Sequence, residues 1–317
     1  MKGWMTLGLA VMAGASLWSG PATAAEAPAA TRITISGAWA LYPLAVRWGE
    51  EYKKVHANVS LDISAGGAGK GMADALAGAV DIGMVSRDVS QAEVDKGALP
   101  FAMAIDAVIP MINAKNPELA ALQQKGVKRE VLRGLWTEES AKAWGTVTGS
   151  DEKAPVRVYT RSDACGAAET WAKYLGGKQE DLKGVGVYGD PGLAEAVRKD
   201  VLGIGYNNVN FAYDTKTGKP IAGLLPLPLD VNGNGVLDKD ESFYGTRDEL
   251  LLAIREKRFP SPPARALFFV TKGKPGNPQT AAFIRWALTD GQVFVPEAGY
   301  IQLPAERLAT EVKKLGE

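Results

Sequence analysis

The 317-residue sequence is nearly devoid of cysteine and histidine, with one of each, Cys165 and His56. One cysteine excludes an internal disulfide and any cysteine-rich metal cluster. The lone histidine sits in a polar connection between a helical and a strand-like segment, where a surface position is its simplest role. Net charge is missing too: 36 basic residues balance 36 acidic ones. That balance argues against nucleic acid or a membrane surface as the main partner. No pair of carboxylates stands in a clear acid/base arrangement, and no general base is placed for a nucleophile. The sequence therefore argues against an enzyme.

What is present is an ordinary globular composition, 46% hydrophobic, with a length that suggests two lobes. The N-terminus reads as a signal peptide over residues 1–24. Lys2 precedes a short apolar run from Trp4 to Trp18, and Ala22 and Ala24 fit cleavage after Ala24. A membrane anchor is disfavoured because the run is short and no cysteine follows to take a lipid. The expected product is a protein exported to the periplasm or secreted, not embedded in a membrane and monomeric, with a flexible tail from Glu26 to Ala30.

Beyond the tail, strand-like segments end repeatedly in small or polar residues that open helices. Arg32–Gly37 predicts a strand, followed by a helix with apolar positions Leu44, Val46, Trp48 and Tyr52 on one face. Val59–Ile63 predicts a strand running into Gly66–Gly71 and a helix over Met72–Ala79. Val80–Arg87 predicts a third strand. Gly66–Gly71 fits either a phosphate-cradling nest or a close backbone approach, and it lacks the Gly-Lys-Ser/Thr ending of a nucleotide loop. Strands alternating with helices imply a parallel sheet with ligands beyond its carboxyl ends. Ala104–Asn113 is suited to a strand passing between lobes. A strand and turn are expected over Val185–Gly192, a strand over Leu267–Thr271, and helices over Leu193–Lys199, Thr280–Thr289 and Gly291–Ala298. Gly203–Asn208 is expected to carry the chain back towards the first lobe.

One stretch carries the clearest chemistry. Around Val158–Trp171 a short strand-like run (Val156, Val158, Tyr159) ends in a polar turn carrying Arg161, and a helix opens at small residues. A helix N-terminus exposes unpaired N–H groups and the positive end of its dipole, and an arginine beside it adds a forked donor. That combination is an anion site. Cys165, at the same predicted N-terminus, is expected to have a lowered thiol pKa. It reads as a small residue lining the pocket more readily than as a nucleophile.

A second motif lies at Asp230–Glu241. Its twelve residues match an EF-hand loop position by position: Asp230, Asn232, Asn234 and Asp238 at 1, 3, 5 and 9, Gly235 at 6 and Glu241 at 12. The carbonyl of Val236 would serve position 7. The approach to it is not helical, so a lone structural Ca²⁺ loop is expected.

Taken together, Ser36-Gly37 with Tyr42-Pro43-Leu44, Gly66–Gly69, Val80–Gly83 with Ser86-Arg87, Tyr159–Asp163 with Gly166, and Gly203–Tyr206 resemble the periplasmic phosphate-binding component of phosphate ABC transporters. These belong to the type 2 periplasmic-binding superfamily, and the resemblance spans residues 31–303. It implies an α/β fold of two lobes, each a mixed, mostly parallel sheet flanked by helices, closing on a tetrahedral oxyanion. The expected boundaries are 31–107 and 212–317 for the first lobe and 108–211 for the second. The implied site is drawn from Ala38, Trp39, Ala40, Leu41, Ala68, Gly69, Ser86, Arg87, Arg161, Cys165, Gly166 and Ala167, with Asp163 orienting Arg161. The implied partners are a small anion and the permease subunits of an ABC importer. The chain departs from the resemblance where Ala68, Cys165 and Ala167 replace hydroxyl residues and Arg87 replaces an aspartate. Another tetrahedral oxyanion, or a small organic anion touching Trp39 or Leu41, is the alternative ligand, and sensing or scavenging the alternative to transport.

Overall fold

The computed structural model describes residues 31–316, together with Met1 and Gly3. The expected signal peptide thus lies almost wholly outside the described residues. Among these, no helix is long and apolar enough to cross a membrane.

Eleven strands can be followed: β1 (Thr31–Gly37), β2 (Val59–Ala65), β3 (Ile82–Val85), β4 (Ala98–Asn113), β5 (Val127–Lys128), β6 (Arg157–Arg161), β7 (Val185–Val187), β8 (Gly203–Asn208), β9 (Leu224–Pro226), β10 (Leu229–Asp230) and β11 (Ala264–Lys272). Nine of them form one sheet in the order β2-β1-β3-β11-β4-β8-β6-β7, with β9 also on β4, and β10 pairs with β5 apart from it. β1 pairs in parallel with β2 and β3, and β6 with β7 and β8. These are the two parallel halves that the strand–helix alternation implied.

The long strand β4 joins the halves. Its first part pairs antiparallel with β11, and residues Val108–Ile112 pair with β8. The apolar core divides at the same place. Phe101, Met103 and Ala104 pack with one cluster around Trp48, Tyr52 and Phe269, while Ala107 onwards packs with another around Trp136, Trp171 and Tyr206. β11 changes sides in the same way, Ala264 in the second cluster and Leu267 in the first. Two adjacent antiparallel strands therefore carry the chain between lobes, one in each direction.

The cores correct one expectation. Residues 212–264, placed with the first lobe from sequence, contribute Tyr213, Leu229, Phe243, Leu250 and Phe259 to the second core. The chain returns at β11, later than Gly203–Asn208 suggested, because β8 is itself a central strand of the second half.

Helices begin where the strands end. Tyr42–Val55 follows β1 with a proline in its first turn, Ala68–Ala77 follows β2 and Gly166–Leu175 follows β6. The helix expected from Met72 starts earlier, at Ala68, despite its glycines. Packing is the reason, since a Cβ on Gly71 would lie 2.4 Å from the Met84 carbonyl oxygen. Gly189–Lys199 likewise begins before Leu193, and the helix expected over Gly291–Ala298 is a 3₁₀ turn at Asp290–Val293 followed by Phe294–Glu297.

Candidate functional site

Three strand ends of the first lobe meet in one corner. The Ala38 amide donates to the Met84 carbonyl at 2.9 Å, and the amides of Gly66 and Gly67 donate to that of Gly37 at 2.8 and 3.0 Å. Gly37 has φ +132°, and a Cβ there would lie 2.3 Å from the Met84 oxygen, so only glycine closes the corner. Trp39 projects from it to the second lobe, where a Cβ on Gly189 would sit 3.3 Å from its ring.

The second lobe supplies β6 and the helix at Gly166. Tyr206 holds this strand end: its ring stacks on Trp171 at 5.7 Å, and its hydroxyl meets Thr160 Oγ1 at 2.8 Å and the Arg161 amide at 3.3 Å. The two lobes touch here. Gly69 N donates to the Ala164 carbonyl at 3.2 Å, and a Cβ on Gly166 would fall 2.3 Å from Ser86 O. Ala68, Gly69, Ser86, Cys165, Gly166 and Ala167 are thus brought to one closed junction, with Arg161 behind it.

Arg161 is almost wholly buried, its side chain 1% exposed. Its Nε and Nη2 donate to the two oxygens of Asp163 at 2.8 and 2.6 Å, the orienting pair that the resemblance implied. Its Nη1 lies 3.1 Å from Asp190 Oδ1 without forming a hydrogen bond. Burial opposes the charge, but Asp190 and Asp163 outweigh it and raise the guanidinium pKa above the usual arginine value. Burial raises the Asp190 carboxyl, against the pull of Arg161 and Arg265. Asp190 is further held by Asn208 Nδ2 at 2.7 Å.

Arg87 departs from the role expected of it. Its Nη1 and Nη2 reach Glu93 at 3.0 and 2.7 Å, Nη1 also reaches the Asp88 carbonyl at 2.9 Å, and Nε lies 3.0 Å from Glu169 Oε2. All three nitrogens are engaged, so Arg87 clasps the second lobe through Glu169 and is not a free donor to an anion. The hydrogen bond from Arg87 chiefly holds the Glu93 carboxyl down at about 2, against burial.

Cys165 is also corrected. It caps the helix, its Sγ accepting from Ala168 N at 3.4 Å, and burial pushes its thiol up to about 12 although Arg161 works the other way. The lowered pKa expected at a helix N-terminus requires solvent access that this thiol lacks.

Sequence reading missed three residues of the junction: Asp190, Asp106 and Arg265. Arg265 Nε donates to the Ser86 carbonyl at 3.0 Å and Nη2 to Asn208 Oδ1. Arg265 and Asp106 are cross-strand partners on β11 and β4. Burial raises Asp106 to about 6, opposed by Arg265. For Asp106 the available signal was a charged residue inside an apolar strand, which is rare without a purpose.

A groove of about 390 Å³ between the lobes is lined by Gly69, Arg87, Ala164, Cys165 and Glu169. A larger cavity, about 690 Å³, lies against the connecting strands among Ile254, Phe259, Ile301 and Leu303, away from every predicted site residue.

The loop at 230–241 follows β10 and has no helix before it. Asp230 Oδ1 accepts from the amides of Gly233 and Asn234, and Oδ2 from Gly235 at 2.8 Å. Asn232 and Asn234 both donate to Asp238 Oδ2, at 2.7 and 2.8 Å, and Glu241 Oε1 accepts from the amides of Val231 and Asn232. Asn232 and Asn234 thus converge on Asp238, whereas Asp230 and Glu241 are engaged by backbone amides. Among the described residues, no group of three or more His, Cys, Asp or Glu is gathered as for a metal ion.

A family model described as a PBP superfamily domain matches residues 22–291. The chain belongs to the PBP superfamily. Relatives include the phosphate-binding protein PstS of Pseudomonas aeruginosa, 29% identical over 301 residues that cover 88% of this chain and 85% of that protein. PstS of Bacillus subtilis is 28% identical over 210 residues, 65% of this chain and 67% of that one. Among solved structures, a candidate phosphate ABC transporter substrate-binding protein with bound phosphate from Clostridium perfringens aligns with TM-score 0.69 at 21% identity, covering 86% of this chain and 100% of that one. An ABC-type phosphate transport receptor from Vibrio cholerae aligns with TM-score 0.61 at 18% identity, with 86% and 100% covered. At these identities the structures establish the two-lobed fold of the PBP superfamily.

Proposed function

We propose that this chain is an exported substrate-binding protein that captures phosphate or a related small oxyanion between its lobes for an ABC importer. The observation that carries the reading is Arg161, buried at the interlobe junction, oriented by Asp163 and set beside the N-terminus of the helix Gly166–Leu175. Dipole and guanidinium act together on an anion there. The PstS relatives add the ligand class, and the structural neighbours described as phosphate transport receptors support the transport setting. The site would draw on the backbone of Ala38–Leu41, Ala68, Gly69 and Gly166–Ala167. A buried thiol with a raised pKa supports binding over nucleophilic chemistry at Cys165. Calorimetry of the mature chain against phosphate, arsenate, sulfate and small carboxylates tests this. Saturable one-to-one binding of a tetrahedral oxyanion is expected, and binding of carboxylates alone would overturn it.

The loop Asp230–Glu241 is proposed to hold a structural Ca²⁺ through Asp230, Asn232, Asn234, the Val236 carbonyl, Asp238 and Glu241. The support is the twelve-position spacing together with the convergence of Asn232 and Asn234 on Asp238. Chelator-treated protein should gain thermal stability on adding calcium, and an unchanged melting temperature would remove the proposal.

A further inference from the structure

Two cavities lie side by side against the hinge that β4 and β11 form. The one of about 690 Å³ noted above and another of about 650 Å³ share Arg255, Ile301, Gln302, Leu303 and Pro304 in their linings. Together they make one elongated groove between the lobes. One wall is the helix Arg247–Arg255 with Phe259, set in the second core through Leu250, Ile254 and Phe259. The other is the segment 296–304, fixed in the first core by Val295 and Tyr300. The floor is the connecting strands at Ile105, Ala264 and Ala266, with Ile301 bridged to Ile105.

This groove is on the back of the hinge. Side chains alternate across a strand, and cross-strand partners share a face. Ala264 pairs with Ala107 and Ala266 with Ile105, while Arg265 and Asp106 form the pair between them. Arg265 reaches Ser86 and Asn208 on the junction side. Ile105, Ala264 and Ala266 therefore face away from the junction.

Its chemistry is one-sided. The larger cavity is walled mainly by apolar side chains, and the charged residues in its lining are Arg255, Lys257, Arg265 and Arg307, with no aspartate or glutamate. Arg265 is engaged at the junction, and Arg307 donates to Glu311 Oε1 at 2.7 Å. Arg255 and Lys257 are exposed and form no ion pair among the described residues. The adjoining cavity adds Arg247, whose side chain is 9% exposed and whose Nε has no hydrogen bond, with Asp248 Oδ1 3.5 Å away. The acids there are Asp248, which points largely to solvent, and Glu297, which pairs with Arg47 at 3.3 Å.

The bland reading is a crevice that any two-lobed hinge leaves behind it. Such a crevice would be wet and rimmed by charges of both signs. Here the larger end sets apolar walls under cations alone. A compact anion would gain nothing from the walls, and a purely apolar molecule nothing from the cations. Apolar surface with a few convergent polar groups is the usual make-up of a small-molecule site, and the elongated shape suits a chain better than a ring.

We propose that this groove binds a small amphipathic carboxylate, its chain lying along Ile105, Phe259, Ile301 and Leu303 and its head group at Arg255 and Lys257. Occupancy has a mechanical consequence, which rests on the receptor reading above. The groove coexists with lobes in contact at the front, where Gly69 N meets the Ala164 carbonyl. Rotation about β4 and β11 that parts this contact brings the two back walls together. A chain lodged between them opposes that rotation, favours the closed form and strengthens oxyanion capture.

Calorimetry of the mature chain with decanoate tests the site. Acetate supplies the head group without the chain, and decyltrimethylammonium the chain with the opposite charge. Saturable one-to-one binding of decanoate is expected, at least about tenfold tighter than either control. Arg255→Gln combined with Lys257→Gln should weaken decanoate about tenfold, in keeping with two rim ion pairs. The same variant should keep its melting temperature and its phosphate affinity in the absence of decanoate. Saturating decanoate should tighten phosphate binding about fivefold, and phosphate should tighten decanoate by the same factor. No saturable binding, equal binding of the cationic control, or an unaffected double variant would each overturn the proposal. So would a dimer in sedimentation that the double variant dissolves, since the groove would then belong to a second copy of the chain. Decanoate bound with no effect on phosphate would overturn the hinge role. A chain that binds decanoate but no oxyanion would remove the receptor reading and leave the site standing.

Discussion

Asp106 and Arg265 stand opposite each other in the sheet, on the only two of its strands that pass from one core to the other among the described residues, with 3.7 Å between carboxylate and guanidinium. Arg161 and Asp163, two residues apart on one strand end, close to 2.6 Å. The protein thus carries one completed arginine–carboxylate pair and one open one within a few residues of the same junction. The first is bidentate, and the second stops short of hydrogen-bond distance.

Arg161→Ala should abolish oxyanion binding in calorimetry and also destabilise the fold. It would leave Asp163 and Asp190 buried without their cation, a loss expected to cost about 3–5 kcal/mol in urea denaturation. A variant that melts normally and still binds phosphate would show that Arg161 is neither ligand nor counter-ion.

Stability should depend on Asp106 in a narrow pH window. Burial raises this carboxyl from 3.8 to about 6 in the folded state, so its protonated form favours folding. That contribution is fully present below pH about 4 and is lost as pH rises through about 6. The stability of the unaltered ligand-free chain relative to Asp106→Asn should therefore fall by roughly 2–3 kcal/mol between pH 4 and 7. Urea midpoints across that range read it directly, and a flat difference would unlink Asp106 from the pH response. Glu93 acts with the opposite sign. Lowered to about 2 by Arg87, it stabilises above its ordinary carboxylate range and loses that effect only as pH falls towards 2.

Arg87→Ala should loosen closure without removing the ligand site. Arg87 ties Glu93 of its own lobe to Glu169 of the other. Its loss is expected to weaken phosphate binding about 5- to 50-fold, in keeping with a half-buried charged pair, and to raise the radius of gyration of the liganded protein in X-ray scattering. Lys173→Ala, which removes the exposed bridge to Asp88, should change affinity less than about fivefold.

The single thiol should be inert in the folded state. With Cys165 buried and its pKa pushed up to about 12, iodoacetamide at pH 8 should label the protein only after denaturation. Cys165→Ser should keep the helix cap and strengthen it by about 0.5–1 kcal/mol, since serine is the better N-cap. Rapid labelling of native protein would contradict this burial.

Much of this molecule was legible in the sequence because it follows local rules. The strands that end in Gly37, Ala65 and Arg161 and the helices that follow them are set by alternation, glycine and small residues, and the structure has all three. Asp163 was assigned to Arg161 from the family resemblance, and the two side chains, two residues apart, do pair. Arg87 was misassigned because its partners, Glu93 and Glu169, come from a capping turn and from the opposite lobe. The placement of residues 212–264 failed for the same reason: which core a segment joins is decided by tertiary packing, and no periodicity in Phe243 or Leu250 encodes it. Arg265 and Asp106 lie 159 positions apart, and only the antiparallel pairing of β4 and β11 makes them one unit.

At the junction the lobes meet at glycines, with Gly67 against the Ala164 carbonyl and the Asp163 carboxylate and Gly166 against the Ser86 backbone and hydroxyl. A contact of that kind works as a feeler gauge. An ion the size of a bare tetrahedral oxyanion lets the two faces seat, whereas an ester group on the same ion would hold them apart and leave the Arg87 clasp unmade. Size discrimination at this site would then reside in whether the jaws can shut, and a bulky analogue would be read as an open receptor even while its charge is held.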